Sequence, residues 1–465
     1  MRPRGIGQRR VRHTLVALMV AALTLGTSTS AGAGGGAQGE GGSAGGKLTD
    51  SFRGVTAKTI RLGIVIIDYE AIKDFVDFHR GDQEETAQIF VDEINDNGGV
   101  GGRQIEPVFQ TYKPVPGQEP SALSLCTSLT EDEEVFAVLG VFIDFSGDAQ
   151  LCLTRDHKTI HIGHELEQPW IDESPPGLLL TPENTKEELA ASLINLFKAE
   201  RTLKGRTVAV IVDQDAESRA TEIVEPGLDG IKGVKRGSTA VLTVTGTDTA
   251  QAQSQLDSFI ERWKTEDVDT VFMVGLRVSA AQFVEKIHAA MPKVRFITDA
   301  SVTLAQAQDL QLAGADPNPY DGMLGIEGET ESERWAKKSP ELQQCVDVWE
   351  KATGKTVLGP DEVTPDDDGR VAEIYIAVED FCGELLMFKA IAERAGPKLT
   401  NRTWQKAVDS FGPIKLPTTS PASLCKGKYG AKDGGRIVKY DTSIGTSGDW
   451  KAVTKIQDTS GGKCA

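Results

Sequence analysis

A chain of 465 residues is long enough for two or three domains, and 39% hydrophobic with 25% charged residues fits a globular protein rather than a fibrous or disordered one. Its formal net charge of −18 argues against nucleic acid or an anionic membrane surface as partner. Acidity of this kind also simply keeps an exported protein soluble.

In chain order, Met1–Ala33 carries Arg2, Arg4, Arg9, Arg10 and Arg12, then the apolar run Leu15–Leu25, then Ala31-Gly32-Ala33. That is the order of a secretory signal peptide with a small-residue cleavage site. The apolar run, about eleven residues, is too short to cross a bilayer about 30 Å thick as a helix, so it reads as no anchor. Arg9-Arg10 also permits twin-arginine export. Removal of five arginines would take the net charge from −18 to −23. The first cysteine is Cys126, so the cleavage site offers no cysteine for a lipid anchor. The mature chain is therefore expected to be secreted or periplasmic, beginning with a Gly-rich linker, Gly34–Gly54, that cannot bury a core.

From Ile60 on, runs rich in Val and Ile ("IRLGIVIID", "FAVLGVF", "TIHIG", "TVAVIVD", "DTVFMVG", "VRFITDA") alternate with segments of helical periodicity. Such runs suit strands covered on both faces, which predicts a parallel α/β sheet. The first crossover is the clearest: Ala87, Phe90, Val91 and Ile94 recur at helical spacing, Asn97-Gly98-Gly99 stops the helix, and Gln104–Gln110 looks extended. Around residue 180 the series breaks. Thr181-Pro182-Glu183 opens a helix, and the strand Thr207–Asp213 then restarts the βα pattern, so two similar lobes are expected. Ser332–Thr353 and Gly369–Ala395 read as helices that return to cover one of the sheets, followed by a tail with short strands at Arg436–Tyr440 and Trp450–Ile456.

Six cysteines in an exported chain are expected to form disulfides, with fifteen possible pairings. Position along the chain favours Cys126 with Cys152, Cys345 with Cys382, and Cys425 with Cys464.

"TIRLGIVIID", "AQIFVDEINDNGGVGGRQIEPVFQ", "VFAVLG", "RTVAVIVDQD" and "VDTVFMVGLRVSAAQFVEKI" together resemble the periplasmic-binding-protein type I fold, specifically the leucine/isoleucine/valine-binding-like solute receptors of ABC importers. The likeness spans roughly residues 58–400 and is carried best by Gly98, Gly99, Val100, Gly102, Arg103 and Ile105. It implies two Rossmann-like lobes joined by three crossovers: Val55–Leu178 in lobe one, Leu179–Gly328 in lobe two, Glu329–Ala395 back in lobe one, and Gly396–Ala465 in lobe two. Each disulfide would then stay within one lobe. By the same resemblance the chain is a monomer without cofactor or catalysis. It captures an amino acid or related small polar metabolite by lobe closure and delivers it to the membrane subunits of an ABC permease. Two rival readings are a ligand sensor of the same fold and a secreted hydrolase using Asp144, Asp148 or His164.

Ligands of open parallel sheets lie beyond the carboxyl ends of the strands. In lobe one those ends present Asp68 and Tyr69, then Asp144, Phe145, Ser146, Gly147 and Asp148, then His164 and Glu165. Relatives bind the ligand carboxylate where Ser146 and Gly147 stand, at a helix start that favours anions; Ser146 as a plain helix cap is the competing reading. His164 stands where relatives carry a small residue. Lobe two presents Asp213, Ser218, Arg277, Asp299 and Ser301. Asp299 matches the acid that holds a ligand ammonium in relatives, and Arg277 could grip a carboxylate or join a surface salt bridge. No metal site is expected from His157, His161 and His164, because on a strand His161 and His164 face opposite sides. "ATGKT" and "GGVGG" fail as phosphate and dinucleotide loops for want of the strand-to-helix context, and Asp366-Asp367-Asp368-Gly369 reads as a helix-capping turn rather than a calcium loop.

Overall fold

The strand Thr59–Ile67, buried almost throughout its second half, pairs in parallel with Gln104–Tyr112 across nine residue pairs. In the computed structural model, which describes residues 47–73, 76, 78–115, 118–143, 146–243, 250–276, 280–299, 307, 311, 316–418, 421–445, 448–462 and 464, this βαβ unit founds the first of two main sheets. The segment read as a signal peptide lies outside the described residues. Between the two strands, the helix Gln83–Asp96 starts on Asp82, whose side chain accepts from the Glu85 N–H at 2.9 Å, and it buries Ala87, Phe90, Val91 and Ile94. The turn after it demands glycine at position 99: φ is +73°, and a Cβ would stand 2.0 Å from the Arg103 carbonyl oxygen. Val100 and Arg103 close the turn by exchanging backbone hydrogen bonds of 2.7 and 3.1 Å. Arg103, only 2% exposed, donates to the carbonyls of Thr56, Thr49 and Pro397. The motif thus ties the start of the fold to the end of a distant helix.

The first sheet runs, in spatial order, Gln104–Tyr112, Thr59–Ile67, Ala137–Leu139, Ile160–Ile162 and Leu179–Leu180, all parallel. The second runs Lys235–Leu242, Thr207–Asp213, Thr270–Val274, Arg295–Thr298 and Leu324–Glu327 in parallel, then Gly434–Asp441 and Asp449–Ala452 antiparallel. Late helices return to the first sheet, as their apolar faces require. Ile374–Ala395 buries Val378, Leu385 and Phe388 in one cluster with Leu62, Ile64 and Leu139, and Pro340–Thr353 adds Leu342 and Val346.

Three connections join the two sheets, at residues 181–185, 328–330 and 430–433. The first and third lie side by side: Ala431 donates to the Thr181 carbonyl at 2.9 Å, Thr181 to the Tyr429 carbonyl at 3.1 Å, and Asn184 Nδ2 to the Lys432 carbonyl at 3.0 Å. Near the second, Lys432 Nζ pairs with Glu327 at 3.0 Å.

Several boundaries differ from expectation for local reasons. Thr181-Pro182-Glu183 opens no helix; the chain stays extended to Thr185, which caps Lys186–Glu200 reciprocally with Glu188. Gly369–Ala395 is helical only from Ile374, because Val371–Ala372 pairs with Phe78–His79. Ser332–Thr353 is two helices, Glu331–Ala336 and Pro340–Thr353, split where Ser339 caps and Pro340 starts the second. The chain does not leave the first lobe at Gly396. Helix Asn401–Asp409 buries Trp404 and Val408 in the first-sheet cluster, Trp404 Nε1 donates to the Gly177 carbonyl at 2.9 Å, and Leu424 and Ala431 share that cluster.

The disulfides join Cys126 to Cys152, Cys345 to Cys382 and Cys425 to Cys464. The last does not stay within one lobe: Cys425 follows Leu424 in the first-sheet cluster, whereas Cys464 follows Gln457–Asp458, which pairs with the start of the Gly434–Asp441 strand.

Candidate ligand-binding site

The loops that leave the carboxyl ends of the two sheets are linked by one side chain. Arg219, on the short helix Glu217–Arg219 beyond the Thr207–Asp213 strand, is 3% exposed. Its guanidinium reaches Glu167 at 3.0 Å, Glu187 at 3.1 Å and Asp299 at 3.3 Å. Glu167 follows the first-sheet strand Ile160–Ile162, and Asp299 ends the second-sheet strand Arg295–Thr298, so a buried ion cluster spans both strand-end edges. Burial works against the guanidinium's charge, but the carboxylates of Asp299, Glu187 and Glu167 outweigh it and raise its pKa. Asp299 also accepts from the Gly275 N–H at 3.2 Å. The acid expected to hold a ligand ammonium is therefore committed to Arg219 and a backbone donor.

The other expected residues divide clearly. Asp68 caps the turn Tyr69–Ile72 by accepting from the Ala71 N–H at 3.1 Å. Tyr69 turns inward against Phe78 and Arg80, and burial pushes its hydroxyl up to about 12. Ser146 accepts from the Asp148 N–H at 3.3 Å in the turn before the helix Asp148–Leu151, a single turn whose N-cap is Gly147 and which has no side-chain cap. Gly147 has φ +74° and packs under the Trp170 ring. Glu165 pairs with Lys186. Asp213 caps the turn Gln214–Ala216, and Ser218 is exposed. Phe145, Arg277 and Ser301 lie outside the described residues, as does Asp144.

His164 is the expected residue with the densest surroundings. Its Nδ1 lies 3.7 Å from Glu183, and its Nε2 lies 3.2 Å from Glu384 and 3.8 Å from Asp380. Burial alone would lower its pKa, but Asp380, Glu183 and Glu384 raise it well above the ordinary histidine value. Glu183, despite burial that favours its neutral form, is held down to about 2 by His164, Lys432 and Lys186. His161, three residues earlier in the strand Ile160–Ile162, is buried against the Gly140 carbonyl at 3.1 Å, and burial lowers it to about 4. Cys126, Cys152 and His157 are the one group of ligand-type atoms close enough for a metal among the described residues, but the two sulfurs are joined and present no thiolate.

Arg219, Glu167, Glu187, Asp380 and Glu384 were not anticipated. The last two had a signal: "YIAVEDFCGELLMF" carries Asp380 and Glu384, with Glu379 beside them, on a mostly apolar helix, where unneeded charge is costly.

Two α/β lobes, three connections and loop edges that meet through buried ion pairs define a bilobal solute-binding architecture. Residues 81–420 match the model of the periplasmic binding protein family, and the chain belongs to it. Among solved structures it is similar to a fatty acid ABC transporter substrate-binding protein from Thermomonospora curvata, at 18% identity and TM-score 0.60 over 90% of this chain and 97% of that one. It is also similar to an ABC transporter solute binding protein from Rhodopseudomonas palustris BisB5 in complex with 3,4-dihydroxybenzoic acid, at 14% identity and TM-score 0.58 over 86% and 98%. A leucine binding protein from Thermotoga maritima MSB8 aligns at 12% identity and TM-score 0.58 over 85% and 99%. These likenesses speak to fold. No curated protein matches the chain. Among the described residues no helix is long and apolar enough to cross a membrane.

Proposed function

We propose that this chain is an extracytoplasmic receptor that closes its two lobes on an amino acid or related small polar metabolite and delivers it to the membrane subunits of an ABC permease. The observation that carries the reading is the Arg219–Glu167 contact, which holds the strand-end edge of one sheet against that of the other. Hinge bending at three short connections is the motion such a contact would lock, and a solute touching both edges would favour the locked state. Family membership supports capture rather than catalysis. The solved relatives named above are a fatty acid ABC transporter substrate-binding protein, a solute binding protein in complex with 3,4-dihydroxybenzoic acid and a leucine binding protein, so ligand chemistry varies on this fold.

Ser146, His164 and Glu165 remain the first-lobe residues proposed to border the solute, with Asp213 and Ser218 from the second lobe. The test is a thermal-shift screen of the mature chain against amino acids, amides, polyamines and aliphatic and aromatic acids. Stabilisation by one chemical class, with one unaltered molecule recovered per chain, is the expected result. Conversion of the compound would overturn the reading in favour of an enzyme, and a flat response across the panel would overturn the ligand class.

A further inference from the structure

A cavity of about 20 Å³ lies in the first lobe where Thr59–Ile67 and Ala137–Leu139 end beneath helix Ile374–Ala395, with Val65, Ile67, Gly140, Arg80, Asp380 and Glu384 among its walls. That volume suits one water-sized group. Glu384 is 1% exposed, and neither of its carboxylate oxygens accepts a hydrogen bond. Its nearest cation is His164, whose Nε2 lies 3.2 Å away but also makes no hydrogen bond and is shared with Asp380 and Glu183. Arg80 donates to Asp380 at 2.9 Å and lies 3.8 Å from Glu373, and its buried Nε makes no hydrogen bond. Among the described residues, the three carboxylates of Glu183, Asp380 and Glu384 thus face the two cations His164 and Arg80. Lys432 and Lys186, which also act on Glu183, are paired with Glu327 and Glu165.

We propose that this cavity is the subsite for a cationic nitrogen, the terminal ammonium of the captured solute, received by the carboxylates of Glu384 and Asp380. The inference rests on the solute-receptor reading above and sharpens it by assigning the ammonium to lobe one, since in lobe two Asp299 is occupied by Arg219. An ammonium matches the cavity in size, supplies the donors that Glu384 lacks, and offsets the excess of negative charge. Burial pushes Glu384 up to about 7, so in the empty site a proton competes with the ammonium for the same carboxylate.

The test compares melting temperatures in ethylammonium chloride and in tetramethylammonium chloride at equal ionic strength, the second cation being too large for a one-group cavity. At about pH 8 the wild type should melt several degrees higher in ethylammonium, less so at about pH 6, and E384Q should lose the difference. E384D, which keeps the charge, should retain part of it and guards against a folding artefact. Equal melting in the two salts, or a difference that survives in E384Q, would overturn the proposal and leave a hydration site only. If the wider panel yields a ligand without a cationic nitrogen, or one whose binding E384Q leaves intact, the receptor reading stands and this inference falls. If ethylammonium binding depends on Glu384 but no solute in the panel binds, the subsite stands and the proposed ligand class falls.

Discussion

Arg219 and Asp299 lie 3.3 Å apart with side chains at most 2% exposed, and through Glu167 the same guanidinium reaches the opposite lobe. A buried cation serving three acids cannot be removed without leaving charge stranded. Arg219→Met should cost about 3–5 kcal/mol of unfolding free energy, as expected when one partner of a buried ion pair is lost. Urea denaturation measures it, and a loss under about 1 kcal/mol would mean the cluster is hydrated or relaxes freely. The same variant should give a larger radius of gyration by X-ray scattering if the contact holds the lobes together.

Glu384 makes stability fall as pH rises. Its folded pKa, about 7, lies above the ordinary glutamate value of about 4.3, so between these values the native state holds the extra proton and ionisation penalises it. The contribution is fully present below about pH 4.3 and is lost as pH rises through about 7, on the order of 4 kcal/mol at most. E384Q should flatten the pH–stability curve across that window. An unchanged slope in the variant would show that other groups produce it.

Gly147 should tolerate no side chain. With φ +74° and a Cβ position 2.5 Å from the Trp170 ring, Gly147→Ala combines left-handed strain with overpacking. A loss of about 2–4 kcal/mol by denaturant unfolding is expected, accompanied by altered Trp fluorescence from the displaced ring. Wild-type stability in the alanine variant would mean the loop shifts at no cost.

The Cys345–Cys382 bond closes 37 residues between two helices that cover the first sheet, and both cysteines are buried. Replacing both with alanine should lower stability by about 4 kcal/mol on the chain-entropy estimate. Cys126–Cys152, spanning 26 residues, should matter slightly less. Double-alanine variants of equal stability to wild type would argue that the reduced chain retains compensating structure.

Much of the architecture was legible because it is local. The spacing of Ala87, Phe90, Val91 and Ile94 and the glycine stop after Asn97 specify a helix, a turn and a strand with no distant information. Two disulfide pairs followed from which helical segments neighbour one another in chain order, and the third from two cysteines that bracket the C-terminal strands. Where expectation failed, a distant partner intervened. Val371 and Ala372 leave a helical pattern because Phe78 and His79 offer a strand edge, and Trp404 holds its segment on the first lobe because Gly177 lies within reach of its indole N–H.

By itself the sequence determined most of the strands and helices, that they alternate into two mainly parallel sheets, and that the loops at the strand ends carry charge. These properties reside in periodicity, glycine placement and residue type. Only the tertiary structure decided how the charges pair, since Arg219 and Asp299 are 80 residues apart and His164 and Glu384 are farther apart still. Coulombic pairing depends on distance in space and on the water excluded around it, and neither is written in the order of residues.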